Sequence, residues 1–132
     1  MAIHTKSKSV RKVEFGDFQT PMGLARAVAR QVAASGFYPA TIIEPSCGAG
    51  GLLFAATDEF PMFAAALGLE IQPRHMATAA ERRTGRHDAD RITIAEGDFF
   101  ERDWANFLAA LPDPLLVIGN PPWVTNSELG AI

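Results

Sequence analysis

The strongest constraint on this chain is a repeated alternation of short apolar runs with stretches whose apolar residues recur at helical spacing. The runs cover residues 41–43, 64–69, 91–95 and 115–118, and they close on Glu44-Pro45, Glu70, Gly97-Asp98 and Gly119-Asn120. Between them lie helix patterns over 52–59 and 74–83, and a third in which Trp104, Phe107, Leu108 and Leu111 stand at i, i+3, i+4 and i+7, an apolar stripe that should face a sheet. A helix before the first run is read from Thr20, a capping residue, with Pro21 at the first helical position. Its stripe is Met22, Ala25, Val28, Ala29 and Val32, and Gly36 closes it after about residue 35. Buried strands alternating with helices call for an α/β fold: a parallel sheet with helices on both faces, right-handed crossovers, and a ligand crevice at the carboxyl ends of the strands.

Size and charge narrow this further. The 132 residues, 48% hydrophobic and 20% charged, suffice for one core, and about two-thirds of the unfolded chain's surface can be buried at this length. A single cysteine forbids an internal disulfide, and no apolar run approaches a membrane span, which points to a soluble protein in a reducing, cytoplasmic setting. A net charge of −3 excludes gripping nucleic acid by bulk attraction. Residues 1–16 read as a basic N-terminal arm carrying Lys6, Lys8, Arg11 and Lys12, and Arg82, Arg83, Arg86 and Arg91 as an exposed helix end and loop.

The unusual residues gather at the strand ends. Glu44 to Gly51, Glu70, Asp98 and Asn120 to Trp123 each follow a different strand, so the fold would align them along one edge. A dinucleotide fingerprint begun at Gly48 and Gly50 meets Leu53 where its third small residue belongs. A phosphate-binding P-loop needs Gly-Lys before Ser or Thr, and all three lysines precede residue 13. What remains is a glycine loop preceded by an acid, with further acids at the next two strand ends. That set suits a cationic, nucleoside-like ligand, and it contains no metal site.

Here the sequence resembles the class I S-adenosylmethionine-dependent methyltransferases, and among them the DNA adenine amino-methyltransferases of restriction-modification systems. Phe18-Gln19-Thr20-Pro21 looks like that family's leading motif, Glu44-Pro-Ser-Cys-Gly-Ala-Gly50 like its glycine loop, Glu70 and Asp98 like its two acidic positions, and Asn120-Pro-Pro-Trp123 like its catalytic tetrapeptide. The resemblance implies a Rossmann-like fold, S-adenosyl-L-methionine as cofactor and a flipped adenine in DNA as substrate. It assigns Thr20 to the methionine carboxylate, Glu44 to the ammonium, Gly48 and Gly50 to close approach of the ligand, and Glu70 to both ribose hydroxyls. Asp98 would accept from the adenine amine, with Ile71 or Phe99 packed on its ring and Cys47 a small packed residue of the loop.

The tetrapeptide carries the chemistry. The lone pair of an adenine amine is delocalised into the ring, so a catalyst should accept both amine protons and let the nitrogen turn pyramidal. The Asn120 side-chain oxygen and the Pro121 carbonyl can do this together, because proline restricts the backbone and donates no hydrogen bond. Pro122 completes the turn, and Trp123 offers a stacking face for an extruded base. Cytosine carbon methylation needs a cysteine nucleophile beside the catalytic proline, and here Trp123 follows Pro122.

The departures from the family carry expectations too. With Ile132 nine residues past Trp123, residues 17–132 read as the cofactor-binding and catalytic part of an incomplete domain, truncated after the fourth strand, without a target-recognition domain and inactive alone. Its fourth-strand edge would need a missing C-terminal region or another chain to cover it. Lys6, Lys8 and Lys12 follow His4, Lys6 and Val10 at an offset of two, so the common nuclease motif with an acid at that offset is absent. Two other readings stay open: a protein-glutamine methyltransferase, whose family favours tyrosine at the Trp123 position, and a cofactor-binding module that works only with a partner.

Overall fold

Pro21 starts the ordered fold: its carbonyl accepts the first intrahelical hydrogen bond, from the Ala25 amide at 3.0 Å, and helix α1 runs Met22–Ala34. The computed structural model describes residues 19–122, and Trp123 and the basic arm at 1–16 lie outside them. Thr20 does not cap this helix with its side chain; Pro21 itself occupies the cap position, in an extended conformation that needs no amide proton. Gly36, at φ +81°, turns the chain away in the left-handed conformation that closes helices.

The strands and helices then alternate as read: β1 Thr41–Glu44, α2 Gly51–Glu59, β2 Ala65–Glu70, α3 Pro73–Arg83, a short 3-10 turn Ala89–Arg91, β3 Ile92–Glu96, α4 Trp104–Ala109 and β4 Leu115–Val117. All pairings are parallel and the order is β3-β2-β1-β4. The chain steps outward from β1 to β3 and then returns to add β4 on the other side of β1. Right-handed crossovers therefore put α2 and α3 over one face, and the reversed step carries α4 to the other. The reversal at β1 and β4 is the position where open α/β sheets hold ligands.

In register, Ile42 lies beside Ala66 and Leu116, and Ala66 beside Ile92. This row faces α2, whose residues from Leu52 to Thr57 are all buried, so α2 is the centre of the core rather than an amphipathic cover. Helix α1 meets it through Ala25 and Ala29, both fully buried, while Met22, Leu24 and Val28 remain exposed. Small residues let the two helices approach, and the larger members of the expected stripe are left at the surface. Gly68, within β2, is required by packing: a Cβ there would come within 2.9 Å of Cys47 Sγ and 3.0 Å of Leu53 Cδ2.

Two expectations fail on the opposite face. No residue of α4 is buried; the Trp104 indole donates to the Phe99 carbonyl at 2.8 Å and its ring packs on Phe107, so this helix rests on its own preceding loop rather than on the sheet. Strand β4 is correspondingly only half-buried, with Val117 51% exposed.

Of the arginine cluster only Arg82 is exposed at the helix end as expected; Arg83, Arg86 and Arg91 are half-buried. Arg83 donates to the Ile92 carbonyl at 2.8 Å, and Arg91 donates to the Phe63 carbonyl at 2.6 Å with its guanidinium 4.3 Å from the Phe63 ring. Arg86 forks onto Asp88 at 2.8 and 2.9 Å and reaches Thr57 and Asp58, joining α2 to the segment that leads into β3. Asp88 is 1% exposed, and its hydrogen bonds from Arg86 hold its carboxyl below the ordinary value while raising that of Arg86. A depressed folded value contributes stability that is full above the unfolded value of about 3.8 and is lost as pH falls through the folded value. Urea unfolding of Asp88→Ala should therefore show a loss of about 2–3 kcal/mol at neutral pH, since it leaves a half-buried guanidinium short of its main partner. The difference from the parent should shrink on acidification; an equal loss at all pH values would contradict the ion pair.

Candidate functional site

The loop after β1 is shaped by two buried glutamates that accept hydrogen bonds from backbone amides. Glu44, at the end of β1 and 3% exposed, accepts from the Leu53 amide at 2.8 Å. Glu70, at the end of β2, takes the Gly48 amide on Oε2 at 2.8 Å and the Ile71 and Gln72 amides on Oε1 at 2.9 Å. The Cys47 amide donates to the Leu69 carbonyl at 2.8 Å, which fixes the loop against β2. Gly48 and Gly50 sit at φ +53° and +88°, where a side chain is strained. A Cβ on Gly48 would stand 2.6 Å from Gln19 Oε1, and one on Gly50 would stand 2.5 Å from the Phe54 ring. These glycines are thus already required by the chain's own geometry, before any ligand is considered.

Beside the loop lies a cleft of about 160 Å³ whose lining includes Gln19, Thr20, Glu44, Cys47, Gly48, Arg82 and Asn120. The β1–β4 pairing creates it. The Ile118 amide donates to the Ile43 carbonyl at 2.9 Å, and the Ser46 hydroxyl donates to the Asn120 carbonyl at 3.4 Å. Asn120 therefore stands next to the glycine loop although 70 residues of sequence separate it from Gly50. Pro121 is exposed and Pro122 half-buried behind it.

Burial pushes the Glu44 carboxyl up to about 8; the Leu53 amide opposes that rise and the neighbouring Glu70 charge adds to it. Burial likewise pushes up the Cys47 thiol, with the charges of Glu44 and Glu70 adding to the effect, so the thiol stays protonated and packed. Both findings follow first from burial under α2 and only then from the closeness of the two carboxylates.

A second group lies at the ends of β2 and β3. The Gly97 amide donates to the Glu70 carbonyl at 3.2 Å, and Asp98 Oδ1 accepts from the Phe100 amide at 2.9 Å. Phe99 packs edge-on against Phe100, with centroids 5.2 Å apart, and tilted against Trp104, while Ile71 is 51% exposed. Glu70 is the link between the groups, touching the glycine loop with one oxygen and the start of the next loop with the other. Of about four acceptor positions on its carboxylate, three are occupied by backbone amides, so the structure leaves about one for a ligand where two hydroxyls were anticipated.

Two side chains of the cleft had not been singled out in the sequence. Gln19 Oε1 accepts from the Ala49 amide at 3.2 Å, and Arg82 Nη1 donates to the Ala49 carbonyl at 3.0 Å. Gln19 lies inside the motif already noted beside Thr20. Arg82 stands in the last turn of α3, and its reach to the loop 33 residues earlier left no local pattern that could have signalled it.

No protein-family model matches the chain. It is 38% identical over 98% of its length to the type II methyltransferase M.NspV from Nostoc sp., and 30% identical over 87% of its length to the type II methyltransferase M.XamI from Xanthomonas campestris pv. amaranthicola. The chain spans 26% and 21% of these two relatives. In structure it is similar to an RNA methyltransferase from Salinibacter ruber in complex with S-adenosyl-L-homocysteine, at 22% identity and a TM-score of 0.52, over 65% of this chain and 54% of that one. The Rossmann-like α/β fold is thereby shared, and the similarity to these two type II methyltransferases runs along most of this sequence.

The state of Glu44 has a measurable consequence. Its folded value lies above the unfolded one of 4.5, so between 4.5 and about 8 the folded chain holds a proton that the unfolded chain has released. Stability must then fall as pH rises through this window. Glu44→Gln keeps an acceptor for the Leu53 amide and should flatten that fall, becoming the more stable form at pH 8 in urea unfolding. Parallel pH profiles for the two proteins would refute the assignment.

Proposed function

From a chain that follows type II methyltransferases for almost its whole length, we propose that the cleft binds S-adenosyl-L-methionine and that the adjoining tetrapeptide directs its methyl group to the exocyclic amine of adenine in DNA. The observation that carries this reading is the adjacency of Asn120 to the glycine loop and to a buried acid, across the β1–β4 reversal. The cleft fits one end of such a cofactor. Glu44, with one oxygen on the Leu53 amide, offers the other to an ammonium group, and Thr20 offers a hydroxyl to a carboxylate. Glu70 would receive a ribose hydroxyl through its remaining acceptor position, Asp98 the adenine amine, and Ile71 or Phe99 the face of the ring. When bound, the cofactor supplies an electrophilic methyl group on sulfur.

The rest is the work of this chain. The Asn120 side-chain oxygen and the Pro121 carbonyl accept hydrogen bonds from the two N–H groups of the target amine, so that its lone pair leaves the ring system and points toward the methyl group. Pro121 and Pro122 hold that carbonyl in place, because neither can rotate about φ nor donate a competing hydrogen bond. Trp123 stacks on the base extruded from the duplex, a contact worth about 1–3 kcal/mol. Residues 17–132 thus perform cofactor binding and methyl transfer, and site-specific readout of DNA is supplied from outside them, in a protein of a restriction-modification system.

In the full-length protein, Asn120→Ala should lower methyl transfer to DNA by about a hundredfold or more while leaving cofactor affinity within about twofold, since it removes a group acting mainly on the transition state. Transfer of a labelled methyl group, followed by analysis of the modified base, reads both parts of the proposal. Label appearing on cytosine, or an unchanged rate in the variant, would overturn it.

A further inference from the structure

Among the residues lining the cleft, Glu44 is the acid and Arg82 the base, and they reach it from β1 and from α3 respectively. Glu44 is buried and commits one oxygen to the Leu53 amide. Arg82 is anchored at the rim by the Ala49 carbonyl through one nitrogen, Nη1. A guanidinium has five N–H donors in a planar fork, so most of its capacity remains for a second acceptor, and the fork matches a carboxylate in two parallel hydrogen bonds. The lining also includes Gly51 and Leu52, the first residues of α2, whose amides add a partial positive charge to the cleft. The cleft therefore holds an acceptor suited to a cation in Glu44 and a donor suited to an anion in Arg82.

We propose that Arg82 binds the carboxylate of an α-amino-acid terminus whose ammonium is received by Glu44, so that the cleft selects a zwitterionic ligand end. This rests on the cofactor reading above and adds to it a binding residue from α3. The pairing explains why an arginine that could extend into solvent is tied back to the loop: the Ala49 contact holds its fork over the cleft. It also gives Thr20 a companion, since one hydroxyl alone is a weak counterpart for a carboxylate. A ligand with the same nucleoside but no amino-acid end would gain nothing from either charged residue.

The test is calorimetric titration of the full-length protein and its Arg82→Met and Arg82→Lys variants with two probes, S-adenosylhomocysteine and 5′-methylthioadenosine, which lacks the amino-acid terminus. For Arg82→Met, affinity for S-adenosylhomocysteine should fall about ten- to hundredfold, the range of a charge-assisted contact, with affinity for methylthioadenosine within twofold of the parent. Arg82→Lys should recover part of the loss. Equal weakening of both probes would show that Arg82 only holds the loop through Ala49, and no weakening of either would show that it does not touch the ligand; each result overturns the proposal while leaving the cofactor reading intact. If the parent binds neither probe, the cofactor reading falls and this one with it.

Discussion

The parallel pairing of β4 with β1 is the contact on which the site depends. Without it the sheet would be a simple progression from β1 to β3, with the glycine loop and the two acidic strand ends in place but nothing opposite them. The hydrogen bond from Ile118 to Ile43 and the contact of Ser46 with the Asn120 carbonyl close that gap. Because the crossover changes direction there, the loops on either side diverge and leave a crevice instead of packing together. The cleft is thus a product of strand order, and its chemistry comes from whichever residues the sequence supplies at the two strand ends.

Backbone amides at those ends are satisfied largely by carboxylates. Glu44 and Glu70 together accept four of them, and a loop with two left-handed glycines is held in one conformation as a result. Burial near each other raises the cost of keeping both charged, which is why one of them takes up a proton near neutral pH. Arg83, Arg86 and Arg91 act away from the cleft, tying α2, β3 and the intervening turns together through carbonyls and Asp88.

Legibility in the sequence varied with the range of the interaction. Strand and helix positions came out within one or two residues, since they rest on local apolar spacing and on punctuation by glycine and proline. The gathering of Glu44, Glu70, Asp98 and Asn120 along one edge was legible as well, because in a parallel sheet every strand ends on the same side. Less legible was which large side chains would be buried. Met22 and Val28 matched the helical stripe yet lie outside, and Trp104 and Phe107 matched another yet pack on their own loop. Periodicity marks a face but cannot say what the face meets.

What the sequence by itself determined is the alternation of elements, the parallel sheet that follows from it, and the residue types at each strand end. Those features depend on neighbours within a few positions and on a handedness common to all such chains. Only the tertiary structure decided that Arg86 ties Asp88 to Thr57 and Asp58 of α2, that Gly68 makes room for Cys47 and Leu53, that Glu70 holds the Gly48 amide, and that Arg82 and Glu44 line one cleft. Each of these depends on the distance between elements far apart in sequence, which is set by how closely α1, α2 and α3 pack on the sheet, and no local pattern encodes that distance.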